Sequence, residues 1–172
     1  MRAVATGQSW ALDELYRRHS RELTQYIYWR LGDKQLTEET LQDVMLAVWQ
    51  GARRYRGDAS VRTWLFAIAH RRALSARRKL PRAAAAEWVA ESLASQDPEP
   101  MERVAERQRA EAVRAALAAL PDQQRTVIEL VYLHGLTGPE AARVLRVPLG
   151  TVKSRQSRAL AALAPLLEEL AP

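Results

Sequence analysis

Cysteine is absent from this sequence. Its absence excludes disulfides and thiolate metal sites, and it suits a cytoplasmic protein. Glycine is scarce, with seven residues in 172, and no stretch alternates apolar and polar side chains as a strand does. No apolar run reaches the ~18 residues that a membrane helix needs, so no membrane insertion is expected. Met1 to Gln8 is too short and polar for a signal peptide. A glycine-rich phosphate loop, a metal-ligand spacing and a nucleophile motif are all missing. No enzyme activity, cofactor or metal is therefore expected. His19, His70 and His134 fall in different elements and read as surface or helix-end residues.

What remains is rich in Ala, Leu and Arg, all good helix formers. Hydrophobic residues make up 48% and charged residues 27%, enough apolar material for packed cores at an ordinary charge content. The expected fold is all-α. The net charge of +6 favours an anionic partner, nucleic acid being the commonest. The charge is unevenly placed. Arg53 to Arg82 holds ten basic residues against Asp58 alone, Ala83 to Glu111 holds seven acids against three Arg, and Arg143 to Arg158 holds five basic residues and no acid. Two basic blocks flanking an acidic tract imply two contact surfaces joined by a segment that avoids the anion.

Apolar spacing gives the elements. Trp10, Leu12, Leu15, Tyr16, Leu23, Tyr26 and Ile27 recur at three- and four-residue intervals, which predicts one or two helices over 9–31. Gly32-Asp33 breaks the pattern. A second helix is expected from Thr37, with Thr37 or Thr40 as its cap and Leu41, Val44, Met45, Val48 and Trp49 as its stripe. Glu38, Glu39, Gln42 and Asp43 take the opposite face. Gly51 to Ser60 reads as a loop with turn chemistry at Gly57-Asp58. A helix over about 61–79 turns Trp64, Leu65, Ile68 and Leu74 inward and Arg62, His70, Arg71, Arg77 and Arg78 outward, and Pro81 stops it. Residues 81–104 read as a flexible linker, partly helical around Trp88. Beyond it, Val113, Leu117 and Leu120 form a stripe, Pro121 opens the next helix, and His134-Gly135 closes that one. The expectation is two small helical domains, 1–80 and 105–172.

Residues 136–163 carry the marks of a helix-turn-helix. Thr137-Gly138-Pro139-Glu140 has the form of a capping box, with Pro139 in the first turn, where an amide has no partner. The small Ala141 and Ala142 let a second helix cross closely, and Val147 plugs the angle. The second helix opens Thr151-Val152-Lys153-Ser154-Arg155-Gln156-Ser157-Arg158, with Val152 toward the core. Such a helix lies in the major groove with its N-terminal residues at base edges. Lys and Arg suit guanine O6 and N7. A helical hairpin with a solvated basic face has the same pattern.

Leu120-Pro121, Arg125, Leu130, His134-Gly135-Leu136, Glu140-Ala141-Ala142, Val147-Pro148 and Gly150-Thr151-Val152-Lys153-Ser154-Arg155 closely resemble region 4 of the sigma-70 family of RNA polymerase sigma factors. LuxR-type and response-regulator domains share parts of this run. Thr37-Glu38-Glu39-Thr40-Leu41-Gln42-Asp43-Val44 resembles the polymerase-binding helix of region 2, and Trp64-Leu65-Phe66-Ala67-Ile68-Ala69 resembles its promoter-melting helix. No region 3 fits between them, which points to the extracytoplasmic-function (ECF) subfamily. The chain departs from the usual pattern at Glu39, His70-Arg71, Ser75 and Ser157. The last departure suggests a promoter preference of its own.

The resemblance implies promoter recognition and transcription initiation, with core RNA polymerase (beta-prime clamp and beta flap), promoter DNA and an anti-sigma factor as partners. Glu38, Glu39, Gln42 and Asp43 would dock the clamp helices. Tyr55, Arg56, Gly57, Asp58 and Ser60 would capture a flipped base of the −10 element, an event that costs a few kcal/mol. Arg62, Arg71, Arg77 and Arg78, with Arg53, Arg54 and Arg72, would hold phosphates. Trp64 reads first as core and second as a stacking surface. Thr151, Lys153, Ser154, Arg155, Ser157 and Arg158 would meet the −35 element. A dimeric helix-turn-helix regulator of duplex DNA and a helical adaptor are the alternatives. Limited proteolysis of the free protein is expected to cut first between 83 and 100, releasing two stable fragments. First cuts within 41–79 or 125–160, read by mass spectrometry, would refute those boundaries.

Overall fold

A computed structural model describes residues 1–79, 112–113 and 115–168, and the side chains up to residue 165. The expected linker, its helix around Trp88 included, lies outside the described residues. Helix and turn account for the described backbone, with no strand. A short helix α1 (Arg2–Ala5) precedes α2 (Ser9–Leu31), α3 (Lys34–Gly51), a 3-10 turn (Ala52–Arg54) and α4 (Val61–Arg77). In the second unit α5 (Asp122–Ile128) runs into a π turn (Glu129–Leu133), followed by α6 (Gly138–Leu145) and α7 (Leu149–Glu168). Residues 115–119 are also helical. None of the described helices is long and apolar enough to cross a membrane.

Residues 9–31 form one helix, which ends where Gly32 takes φ 73° and donates its N–H to the Tyr28 carbonyl. That left-handed stop costs glycine nothing. Helix α3 then begins at Lys34, three residues before the expected start. Its cap is Asp33, whose carboxylate accepts the Leu36 N–H at 2.6 Å. A carboxylate placed directly after the glycine stop satisfies the first free amides. Thr37 and Thr40, expected as caps, are instead buried within the helix. Ser60 caps α4 by accepting the Thr63 N–H at 3.1 Å.

Helices α2, α3 and α4 pack pairwise around Leu23, Tyr26, Ile27, Val44, Val48, Leu65 and Phe66. The second unit joins the same apolar cluster through Val127, Leu130, Leu136, Ala141, Val144 and Val152, and α6 lies against α4. A smaller cluster of Leu117, Leu120, Ile128, Ala159 and Leu163 is covered by Trp29 from α2. Val113, expected in that stripe, is exposed. The two units thus meet along a continuous seam.

The histidines depart most from expectation. His70 and His134 are buried at 9% and 6% exposure, and both lie against Tyr26. The Tyr26 hydroxyl and His70 Nδ1 share a hydrogen bond of 2.7 Å, and the His134 ring stands edge-on to Tyr26 and beside Phe66. His19, half-buried, lies 2.6 Å from Glu22. Sequence spacing places His70 on the basic face of α4, but its ring turns to Tyr26 of α2 and is interior, while Arg71 beside it is exposed.

Burial, aided by the Arg30 charge, lowers the His70 pKa to about 4. Burial and Arg62 do the same to His134. A histidine held neutral in the fold takes up its proton first in the unfolded chain. Stability therefore falls as pH drops from about 6.5 to about 4, by on the order of 1–3 kcal/mol per histidine. The Glu129 carboxyl, pushed up by burial, opposes this in part of the window. The melting temperature is expected to fall between pH 7 and pH 4.5, and His70→Asn to flatten the fall. An equal fall in wild type and His70→Asn would show that His70 is not held neutral.

Candidate nucleic-acid interface

Three surfaces hold the residues singled out by sequence. On α3, Glu38, Glu39, Gln42 and Asp43 are all exposed, opposite the buried Leu41, Val44, Met45 and Val48. The amide Nε2 of Gln35 donates to Glu39 at 3.2 Å. Arg72 of α4 and Lys79 just beyond it border Glu39 and Asp43 across a small hollow. The face is acidic, solvated and rigid, because it lies on the outer side of a packed helix.

The loop after α3 is tightly built. Tyr55 donates its hydroxyl to the Ala59 carbonyl at 2.6 Å, and its ring centroid lies 5.4 Å from that of Trp64. Gly57 takes φ 83°, and Arg56 pairs with Asp58 at 3.2 Å in the open. The loop borders a cleft of about 520 Å3 that Arg2 and Ala5 of α1 help to wall. Sequence reading began the fold at residue 9 and missed α1. Its Val4 packs with Ala11 and Ala52, and Arg53 donates to the Ala5 carbonyl at 3.1 Å.

The arginines of α4 and of its C-cap divide into two sets. Arg71, Arg72 and Arg78 are exposed. Arg62 donates through Nε to Glu22 at 2.8 Å and through Nη2 to the His134 carbonyl, with its guanidinium 5.2 Å over the Phe66 ring. Arg77 donates to Asp122 Oδ1 at 2.6 Å. Arg62 and Arg77, read from sequence as phosphate contacts, are here engaged in the seam. Trp64 is half-buried, packed beside Tyr55 and Gly51 with part of its surface open.

On α7 the buried Val152 anchors the first turn, while Lys153, Ser154, Ser157 and Arg158 face solvent. Thr151 and Arg155 are half-buried. The Arg155 guanidinium donates to Gln123 at 2.6 Å, and Gln156 donates to the Tyr132 hydroxyl at 3.0 Å. Arg155 is thus turned back toward α5, and residues 154, 157 and 158 share the outer face. The expected capping box is present: Thr137 Oγ1 accepts the Glu140 N–H, and Glu140 accepts the Thr137 N–H at 2.9 Å. Val147 packs at the turn between α6 and α7.

The polar part of the seam was not foreseen. Arg30 of α2, with its side chain 2% exposed, donates to Asp122 Oδ2 at 3.0 Å and to Thr126 Oγ1. It also faces Glu129 at 3.6 Å, too far for a hydrogen bond. Burial alone would push the Asp122 carboxyl up, but Arg30 and Arg77 hold it below the usual carboxylate range. Glu140 reaches across as well, accepting from Thr63 Oγ1 at 2.8 Å. The one trace of this in the sequence is Arg30 itself, a cation three and four residues on from the apolar Ile27 and Tyr26. Among the described residues no group of His, Asp or Glu has the arrangement of a metal site.

Residues 15–83 match the family model Sigma-70 region 2, and residues 110–163 match Sigma-70, region 4. The ECF RNA polymerase sigma factor SigM of Mycobacterium tuberculosis is 37% identical over 166 residues, 96% of this chain and 81% of that protein. SigK of Mycobacterium bovis is 35% identical over 98% of this chain and 91% of its own. Among solved structures, CnrH in complex with the cytosolic domain of CnrY superposes with a TM-score of 0.70 at 27% identity, over 96% of this chain and 93% of that one. The sigma factor RpoE, crystallised with the anti-sigma factor NepR from Bartonella quintana, shares the fold, with a TM-score of 0.67 at 23% identity over 91% and 96% of the two chains. A stand-alone helix-turn-helix regulator has no counterpart to the matched first segment. With both matched segments borne on this fold, the chain belongs to the ECF RNA polymerase sigma factors of the sigma-70 family.

Proposed function

We propose that this sigma factor divides its work among the three surfaces, with unit boundaries near residues 80 and 104. The observation that carries the reading is the pairing of an exposed acidic face on α3 with an exposed basic face on α7, each inside its matched segment. Glu38, Glu39, Gln42 and Asp43 dock the basic clamp helices of the beta-prime subunit, and the second unit engages the beta flap. Tyr55, Arg56, Gly57, Asp58 and Ser60 receive the flipped base of the −10 element, and Arg71 and Arg78 hold its phosphates. Arg62 and Arg77 join them once freed from their seam partners. Lys153, Ser154, Ser157 and Arg158 read the −35 element in duplex form, while Thr151 and Arg155 steady the backbone contact. Control by an anti-sigma factor is supported by the likeness to CnrH, which was solved with a bound protein domain. The site of action is the cytoplasm.

Asp43→Lys is expected to weaken binding to core polymerase roughly 10-fold or more, since it sets like charges face to face, while the helical circular-dichroism signal stays intact. Equal affinity of wild type and variant would remove α3 as the dock. For α7, a bidentate base contact is worth roughly 1–3 kcal/mol of discrimination, whereas a lost phosphate contact lowers the salt slope by about one and spares preference. Arg158→Ala should relax preference at one −35 position or reduce the slope, and Arg155→Ala should show the slope effect alone. Holoenzyme binding to −35 variants at several salt concentrations separates these cases. If Lys153→Ala and Arg158→Ala change neither quantity, α7 is not the reader.

A further inference from the structure

Arg146 belongs to none of the three surfaces, yet its placement is unusual. It is the one non-glycine among the described residues with positive φ, at φ 56° and ψ 46°, where it closes α6. Glycine or asparagine is the ordinary choice there, because a Cβ is crowded in that conformation. The departure brings a long cation to the seam. Arg146 helps to wall a cleft of about 510 Å3 together with Arg54, Arg71 and Arg72 of the first unit. The Trp64 side chain and the Ser75 hydroxyl complete the part a ligand would meet, and no acidic side chain lines the cleft. Among the described residues none of the four arginines has an ion-pair partner. Burial, Arg146 and Arg72 all disfavour the charge on Arg71. The cleft therefore concentrates positive charge from both units with no counter-charge of its own.

Arginine forks match phosphate oxygens two at a time, and four of them exceed what one monovalent anion can balance. The aromatic wall offers a stacking face beside the cations. Arg62 and Arg77, which a long strand would also need, donate to the His134 carbonyl and to Asp122 of the second unit in this arrangement, which leaves the four arginines of the cleft to a compact anion. We propose that this cleft binds a free oligophosphate, two or more linked phosphates, and that the anion clamps the two units together by bridging Arg54, Arg71 and Arg72 to Arg146. The proposal stands apart from the promoter assignments above except at Arg71, for which the anion and a promoter strand would compete.

Thermal unfolding of the full chain tests it, with sodium tripolyphosphate titrated against sodium chloride at matched ionic strength. Tripolyphosphate at about 100 times its Kd should raise the melting temperature by roughly 5 °C or more. Arg146→Gly should melt, without ligand, at or above the wild-type temperature, since glycine suits the backbone there and one crowded charge is gone. Its rise with tripolyphosphate should fall below half that of wild type, and Arg146→Lys should retain most of it. A nucleoside triphosphate that raises melting further assigns the Trp64 face to a base, and an equal rise assigns the site to the phosphate chain alone. Both results support the site. No rise beyond the chloride control, or an undiminished rise in Arg146→Gly, overturns it. So does stabilisation by a short single-stranded oligodeoxynucleotide with none by tripolyphosphate.

Discussion

The relation between the two units rests on one buried cation. Arg30 lies in the last turn of α2 with its guanidinium out of water, and an isolated charge there costs several kcal/mol. Its compensation comes from Asp122, Thr126 and Glu129, all of the second unit. The first unit leaves Arg30 unpaired without the second, and the second has a carboxylate, Glu129, that is fully buried and without a hydrogen bond among the described residues. Removing one member of such a set costs about 3–5 kcal/mol, because the other charge is left behind. The arrangement gives little net stability over an apolar seam, but it admits one register of the units and penalises others.

Arg62 and Arg77, proposed above as phosphate contacts, are both neutralised internally, Arg62 by Glu22 of its own unit and Arg77 by Asp122 across the seam. Glu140 does two jobs with one carboxylate: one oxygen closes the capping box of α6 and the other accepts from Thr63 at the start of α4. These hydrogen bonds, that of the Thr137 backbone foremost, hold it below the usual carboxylate range. The outer face of α7 and the acidic face of α3 stay exposed in this arrangement.

Much of this was legible in the sequence, and for local reasons. Apolar spacing located α2, α3, α4 and α7 because a helix buries one stripe. The Thr137–Glu140 capping box was readable because both partners lie within four residues of each other. The outward set on α7 followed from the buried Val152 and the turn of the helix. The errors were also local in origin. The start of α3 was placed at Thr37 because two threonines resembled caps, while Asp33 lay closer to the glycine stop and is the better acceptor. The short α1 was missed because its four residues carry no periodic signal.

By itself the sequence determined the longer helices, the Thr137–Glu140 capping box, the acidic and basic faces and the likeness to regions 2 and 4, since each depends on neighbours within a turn or two. Only the tertiary structure decided what meets at the seam. His70 and His134 look like surface residues until Tyr26 lies between them, and Arg146 looks like an ordinary loop cation until Arg71 and Arg72 stand opposite. Arg30 has no ion-pair partner within its own helix, and its compensation comes from the carboxylates at 122 and 129 and the hydroxyl at 126. Burial and charge compensation are properties of two surfaces in contact, and spacing along one chain segment records neither the second surface nor its register.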